Sequence, residues 1–293
     1  MTLPWLMNQY RGSQKPKMQG ASTKAVIPNH VFDLPHGDYH PDSDFLNVAE
    51  SSGAVHRNSM VEQWALLETA LQRYPGHDQR WKVMTIWMTA NDVCGAGHEC
   101  TKPVSKHYLA DWVAGHDAVL TNVSLSMKRV YVNLVSTLDL SNVARIQRKH
   151  AFCKLEHQHI LRECGCIDRG NQTQLSQLDA NIATMNAALH DLAAKWTERL
   201  GSQNRTDMAV TVQAFQEGVG KQLDDSFLNH LDCFHPSTRG HEDLAVGLWN
   251  NMLCTGDRSP GNLCGRPFSP DMSPVCPTQT SRFYVAKPTS RLA

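Results

Sequence analysis

The chain has 293 residues, 41% of them hydrophobic, with 28 Lys+Arg balanced by 28 Asp+Glu. That is enough chain for one large core, and zero net charge with no run of five basic residues excludes an affinity for nucleic acid built on phosphate neutralisation. The longest apolar windows, such as WKVMTIWM, fall far short of the ~18 residues of a membrane span, so no transmembrane segment is expected.

In chain order, the start MTLPWLMNQYRGSQKPK has few apolar residues, no basic stretch ahead of them and no small-residue cleavage site, so it does not read as a signal peptide. Over 59–74 a helix is predicted. Ser59 and Glu62 form a capping box, Val61, Trp64, Leu67 and Leu71 form its apolar face, and Pro75-Gly76 stops it. Residues 81–88 have the length and β-branched content of a buried strand, as do 129–136 and 208–215. Between them, 106–123 repeats an apolar face with Tyr108, Trp112, Val119 and Val123. From Leu175 through Leu178, Ile182, Met185, Leu189, Leu192 and Trp196 to Leu200, apolar residues recur at steps of three and four, which is a long core-facing helix. Strands separated by helices imply parallel crossovers and a doubly wound α/β fold. Beyond residue 253 the texture changes to an irregular Cys/Pro-rich tail, so the division expected is 1–253 for the α/β body and 254–293 for the tail.

The nine cysteines stand at 94, 100, 153, 164, 166, 233, 254, 264 and 276. They cluster locally, and short loops suggest Cys94 with Cys100 and Cys153 with Cys164 or Cys166, leaving at least one thiol over. With sequons at Asn122, Asn171 and Asn204, they indicate an extracellular or membrane-associated protein. A secretory composition with no signal peptide leads to the expectation that the front of the protein is absent.

Ligands of open α/β sheets sit beyond the carboxyl ends of the strands. There, TANDVC follows the strand at 81–88, and DCFHPSTRGH follows the one at 208–215. An Asp three residues before a His can place its carboxylate on Nδ1–H and leave Nε2 as general base, which makes Asp232 and His235 the back half of a hydrolytic triad. An Asn just past a strand, here Asn91, can aim its amide at a developing oxyanion.

Four blocks carry a resemblance to a known family: NVAESSGAV (47–55), WKVMTIWMTANDVC (81–94), VQAF (212–215) and DCFHPSTRGHEDLAVGLWNNML (232–253). In order and spelling they resemble the phospholipase B branch of the GDSL, or SGNH, hydrolases, and VCPTQTSRFYV (275–285) is similar to the segment that closes a phospholipase B repeat. The resemblance implies a three-layer α/β/α fold with a mainly parallel, flavodoxin-like sheet and hydrolysis of phospholipid or acyl-ester bonds at a membrane surface, without a cofactor or metal. His235 then matches the catalytic base and Asp232 its orienting carboxylate, while Gly53 (backbone N–H) and Asn91 (side-chain amide) match two oxyanion-hole donors. The family nucleophile is the serine of a Gly-Asp-Ser block after the first strand, and no Gly-Asp-Ser occurs here. The expectation is a chain lacking the first strand and the nucleophilic serine, with a second strand around 43–49. Ser51 and Ser52, beside Gly53, read as small residues of the donor loop. Thr89 stands where the family has glycine, so its Cβ bears on how Asn91 is held.

Two rival readings stand beside this one. A chain with Gly53, Asn91, Asp232 and His235 but no serine fits a non-catalytic lipid-binding pseudoenzyme. His150, Cys153 and His157, with His159, Cys164 and Cys166 close behind, form a possible zinc set.

Overall fold

The computed structural model describes residues 2–10, 39–50, 53–55, 59–95, 100–160, 163–219, 223–254, 268–270 and 272–285. The three apolar runs form β1 (Lys82–Ile86), β2 (Val130–Val135) and β3 (Met208–Gln213), all parallel and in the order β1-β2-β3. Val83 lies opposite Tyr131, and Asn133 opposite Thr211. Strands β2 and β3 are buried along their whole length. Strand β1 is only partly buried, as befits a strand with a ladder partner on one side.

The crossovers are α5 (Lys106–Ser126) and α9 (Gln172–Ser202). Ser105 caps α5 by accepting the Tyr108 N–H, and Asn171 with Gln174 forms a reciprocal capping box on α9. The stripe from Leu175 to Leu200 is buried, and α9 packs on β3 and α5 over the aliphatic side of the sheet, which carries Val130, Val132, Leu134, Val210 and Val212. The alternate residues of the same strands include the polar Tyr131, Asn133, Thr211 and Gln213. Gln213 Nε2 donates to Asn133 Oδ1 at 2.8 Å and to the Tyr131 hydroxyl at 3.0 Å, and Asn133 Nδ2 lies 3.6 Å from Met252 Sδ of α10 (Thr238–Leu253). Helices thus lie on both faces of a parallel sheet, the α/β arrangement expected.

On the outer side of α10 sit α1 (Leu3–Tyr10) and the described part of the tail. Val275 pairs with Asn250 and accepts Trp249 Nε1–H at 2.9 Å, while Tyr284 N–H donates to the Met252 carbonyl at 2.7 Å. Phe268 is fully buried and joins the Phe215 carbonyl through its N–H.

Three expectations are corrected. Residues 43–49 are not a strand: α2 (Pro41–Asp44) is followed by irregular chain. A strand needs a neighbour for its N–H and C=O groups, and among the described residues none runs between 45–50 and β1. In that position is a groove of about 350 Å³ lined by Asn47, Val48, Trp64, Leu67, Val83 and Thr85, so the outer edge of β1 is open. In α3 (Ser59–Leu71), Ser59 does not form the expected capping box with Glu62. It is the first residue inside the helix rather than the cap before it, and its hydroxyl donates to Glu50 Oε2 at 2.7 Å and accepts from Gln63 Nε2 at 3.1 Å.

The third correction concerns the cysteines, which pair at long range: Cys94–Cys164, Cys100–Cys166 and Cys153–Cys233. Packing brings α4 (Ala90–Gly95) and the chain at Cys100 beside α8 (Gly165–Arg169), with Cα–Cα distances of 5.1 and 5.8 Å that suit a bridge. Apposition in space, rather than loop length, decides the partners, and loops closed over separations of 70 and 66 residues remove more unfolded-state entropy than a local one. Cys254 is also disulfide-bonded, and Cys276 is the free thiol among the described residues.

Candidate active site

The loop after β3 is closed at its base and tied along its length. Leu228 and Pro236 form an antiparallel bridge, Asn229 N–H donates to the His235 carbonyl at 2.8 Å, and Ser237 N–H donates to the Phe227 carbonyl at 2.7 Å. Inside it, Asn229 accepts the Leu231 N–H on its side chain and the Cys233 N–H on its carbonyl, each at 2.8 Å. The chain reverses at Cys233, whose φ of 51° lies in the left-handed region that a non-glycine residue holds only when its surroundings enforce it. Here the enforcing contact is the bond to Cys153 of α7 (Ala151–His159).

Asp232 is buried at the centre of this turn. Its Oδ1 accepts the backbone N–H groups of Phe234 (3.0 Å) and His235 (3.1 Å), and its Oδ2 lies 2.9 Å from His235 Nδ1. With both carboxylate oxygens held, Nδ1 keeps its proton and Nε2 becomes the lone-pair nitrogen of the neutral ring. Burial pushes the Asp232 carboxyl up, but the hydrogen bonds from His235 and Phe234 and the nearby imidazole outweigh it and leave the group below the usual range. Burial likewise pulls His235 down, and the hydrogen bond and charge of Asp232, with Glu163, reverse this and raise it. His241, in the first turn of α10, is lowered by burial and by the charge of His235.

Beneath the pair lies a support that sequence reasoning missed. His157 of α7 is buried, with Nε2 2.6 Å from the Asp232 carbonyl oxygen and Nδ1 3.0 Å from Asp168 Oδ1 of α8. The Asp168 contact has ion-pair distance without the directed geometry of a hydrogen bond. With Nε2 on the Asp232 carbonyl and Nδ1 beside the Asp168 carboxylate, the surroundings favour the protonated ring. Burial lowers its pKa, and Asp168, the Asp232 carbonyl and Glu156 together raise it above the ordinary histidine value. The signal available in sequence was the spacing of Cys153 and His157, one helical turn apart, which put both on the face that meets this loop.

That arrangement also redistributes the possible zinc set. Cys153, Cys164 and Cys166 are disulfide sulfurs, His157 holds Asp168, and His150 Nε2 lies 3.3 Å from Asp225 Oδ2. Among the described residues no three His, Cys, Asp or Glu side chains are grouped to hold a metal ion.

Gly53 and Asn91 also come together, by a hydrogen bond between them. Asn91, in the first turn of α4, donates Nδ2–H to the Gly53 carbonyl at 3.1 Å, and the Gly53 N–H donates to the Glu50 carbonyl at 3.1 Å. The next residue, Asp92, accepts the Val55 N–H on Oδ2 at 3.0 Å. A Cβ at Gly53 would lie 2.9 Å from the Glu50 carbonyl oxygen, a backbone atom with nowhere to go, so only glycine fits. Thr89 is buried at the entry to α4, its carbonyl accepting the Val93 N–H at 3.0 Å and its hydroxyl without a hydrogen-bond partner.

The structure therefore assembles two pairs, Asp232 with His235 and Gly53 with Asn91. Among the described residues no hydrogen bond or ion pair joins the pairs directly. The path between them is covalent and electrostatic, from α4 through Cys94–Cys164 to α8, then through Asp168 and His157 to Asp232. No described hydroxyl hydrogen-bonds His235 Nε2. Ser51 and Ser52 lie outside the described residues.

No family model matches the chain, and no solved structure does. Curated relatives do: the chain is 29% identical over 218 residues to human membrane-associated phospholipase B1, 30% over 216 residues to the rat protein and 27% over 217 residues to the mouse protein. Each match covers 71% of this chain and 14% of the relative, so the chain spans a small part of the length of the proteins it resembles. It is a phospholipase B-like relative.

Proposed function

We propose that this chain carries the base half of a serine carboxylic-ester hydrolase site acting on phospholipids or other acyl esters. The observation that carries the reading is the Asp232 carboxylate, fixed by two backbone N–H groups and 2.9 Å from His235 Nδ1. In that geometry Nε2 takes the proton of a serine hydroxyl as its oxygen attacks the ester carbonyl, and Asp232 stabilises the imidazolium that forms. The proton then passes from Nε2 to the departing alcohol oxygen as the acyl–oxygen bond breaks, and a water molecule repeats the sequence on the acyl-serine. Gly53 and Asn91 are the proposed oxyanion donors. For that role the Gly53 N–H must leave the Glu50 carbonyl, whereas the Asn91 amide has a second hydrogen to offer.

The nucleophile is not among these residues on this reading. No Gly-Asp-Ser is present in the sequence, so residues 1–293 by themselves are expected to turn over no ester. The disulfides fit an oxidising compartment, either extracellular or at a membrane surface, with Asn122, Asn171 and Asn204 as glycosylation candidates. Residues 1–293 should show no phospholipid hydrolysis and no labelling by a fluorophosphonate. The same chain extended at its N-terminus by a Gly-Asp-Ser segment of the family should hydrolyse acyl esters, and His235→Ala should remove that activity by about 10⁴-fold or more. Labelling of the unextended chain at Ser51 or Ser52, or survival of activity in His235→Ala, would overturn the assignment.

A second reading, a lipid-binding pseudoenzyme, is favoured by one observation: both proposed oxyanion donors are already engaged by backbone carbonyls. Extension that restores no activity while phospholipid binding persists would select it.

A further inference from the structure

The turn that carries the candidate base is strained at one peptide. Cys233 has a φ of 51°, a backbone region that a residue with a Cβ rarely adopts, so a flip of the peptide between Asp232 and Cys233 would relieve it. Such a flip bears on the pair. Asp232 Oδ1 closes rings onto the N–H groups of Phe234 and His235, and this peptide lies inside both rings, so its orientation sets where Oδ2 points. Two hydrogen bonds oppose the flip, one at each end of the peptide. The Cys233 N–H donates to the Asn229 carbonyl at 2.8 Å, and the Asp232 carbonyl accepts from His157 Nε2 at 2.6 Å. The Cys153–Cys233 disulfide grips the Cys233 side chain and leaves the peptide itself free to turn.

A carbonyl oxygen can only accept, so the His157 Nε2 that faces it carries a proton. Asp168 keeps it there. Its Oδ1 stands 3.0 Å from Nδ1 on the other side of the ring, its Oδ2 accepts the Cys164 N–H at 3.3 Å, and both side chains are 1% exposed, so water screens the contact little. Glu156, on the same helix, also favours the protonated ring, while Glu163 acts on Glu156 and on His235. The charge of His157 by itself lowers His235. Charge and position therefore push the candidate base in opposite directions, and the two can be told apart.

We propose that His157, backed by Asp168, is a positioning residue for the candidate base: its Nε2–H locks the Asp232–Cys233 peptide and so holds the Asp232 carboxylate on His235 Nδ1. Its bearing on catalysis rests on the hydrolase reading above, whereas its bearing on His235 rests on this geometry alone.

The test moves the donor while removing the charge in both arms. In residues 1–293, H157Q/D168N keeps an N–H at the place of Nε2, whereas H157N/D168N puts it at the place of Nδ1, away from the Asp232 carbonyl, and neither leaves a buried carboxylate unpaired. Loss of the His157 cation alone would raise His235 in both. In NMR titrations the Gln variant is expected to keep the His235 pKa at or above that of the parent protein, and the Asn variant to drop it toward the ordinary histidine value. Equal titration in the two, or a rise in both, would overturn the proposal. Thermal midpoints report whether each variant folds. If the Asn variant does not, a Gln variant whose His235 falls below the parent value still overturns it. Histidine nitrogen-15 spectra of the parent protein need no substitution: His157 Nε2 is expected to stay protonated as pH rises for as long as the fold persists, and an unprotonated Nε2 refutes the lock. In the protein extended by a Gly-Asp-Ser segment, the Asn variant should have a kcat about tenfold or more below that of the Gln variant at similar KM, and equal kcat values would count against positioning. An extended parent protein without activity removes the hydrolase reading and leaves the His235 titration to decide this one.

Discussion

The loop 228–237 and the Gly53–Asn91 region are both candidate halves of one site, yet they are held in opposite ways. In the loop, a disulfide, a buried histidine and an antiparallel bridge all act from outside on Asp232 and His235, whose Nε2 has no hydrogen-bond partner among the described residues. In the other region the groups expected to meet a ligand satisfy each other: Asn91 closes on the Gly53 carbonyl and Gly53 on Glu50. Preorganisation requires that the reactive atom stay free while its neighbours are fixed. The loop meets that condition, whereas the Gly53–Asn91 region fixes the donors themselves. The kind of tie differs between them. The loop is cross-linked to α7, while Gly53 and Asn91 are held by hydrogen bonds to backbone carbonyls, Asn91 to Gly53 and Gly53 to Glu50.

The contrast is broken most severely by removing the charge under the loop. Asp168→Ala takes the carboxylate away from the buried His157 ring, which should destabilise the protein by about 3–5 kcal/mol in chemical denaturation. Cys153→Ser with Cys233→Ser should follow, at about 2–4 kcal/mol, with the His235 pKa measured by NMR falling toward the ordinary histidine value as the turn relaxes.

A pH series sharpens the comparison without breaking it. Because His235 is raised in the fold, its contribution to stability is complete below the unfolded histidine value of ~6.5 and is lost as pH rises through its folded pKa. Asp232 is lowered, so its contribution is complete above ~3.9 and is lost as pH falls through its folded pKa. The pair therefore stabilises most between about pH 4 and 6.5, and Asp232→Asn should flatten urea midpoints across that window and its flanks. His157, also raised, adds to the loss on the alkaline side. The smallest effect is expected at the other region. Asn91→Ala removes one hydrogen bond to the Gly53 carbonyl, about 0.5–1.5 kcal/mol, and should leave the His235 titration unmoved. A shift of His235 in that variant would show that the two regions are coupled through Cys94–Cys164.

Sequence alone determined the elements whose signal is local. The β-branched runs at 82–86, 130–135 and 208–213 became strands, the three-four stripe from Leu175 to Leu200 became one buried helix, and Asp232-x-x-His235 closed on itself because three residues of turn suffice to bring a carboxylate to Nδ1. Tertiary structure decided everything that depends on which segments meet. Ser59 turned from cap to carboxylate partner, Cys94 and Cys100 each found a cysteine of the 164–166 pair, and 43–49 became the end of a short helix and irregular chain, beside an edge with no partner strand among the described residues. His157 is the sharpest instance. Its spacing from Cys153 suited a metal, and only the packing of α7 between α8 and the loop set it between Asp168 and the Asp232 carbonyl, because hydrogen bonding and ion pairing depend on distances that the order of residues does not contain.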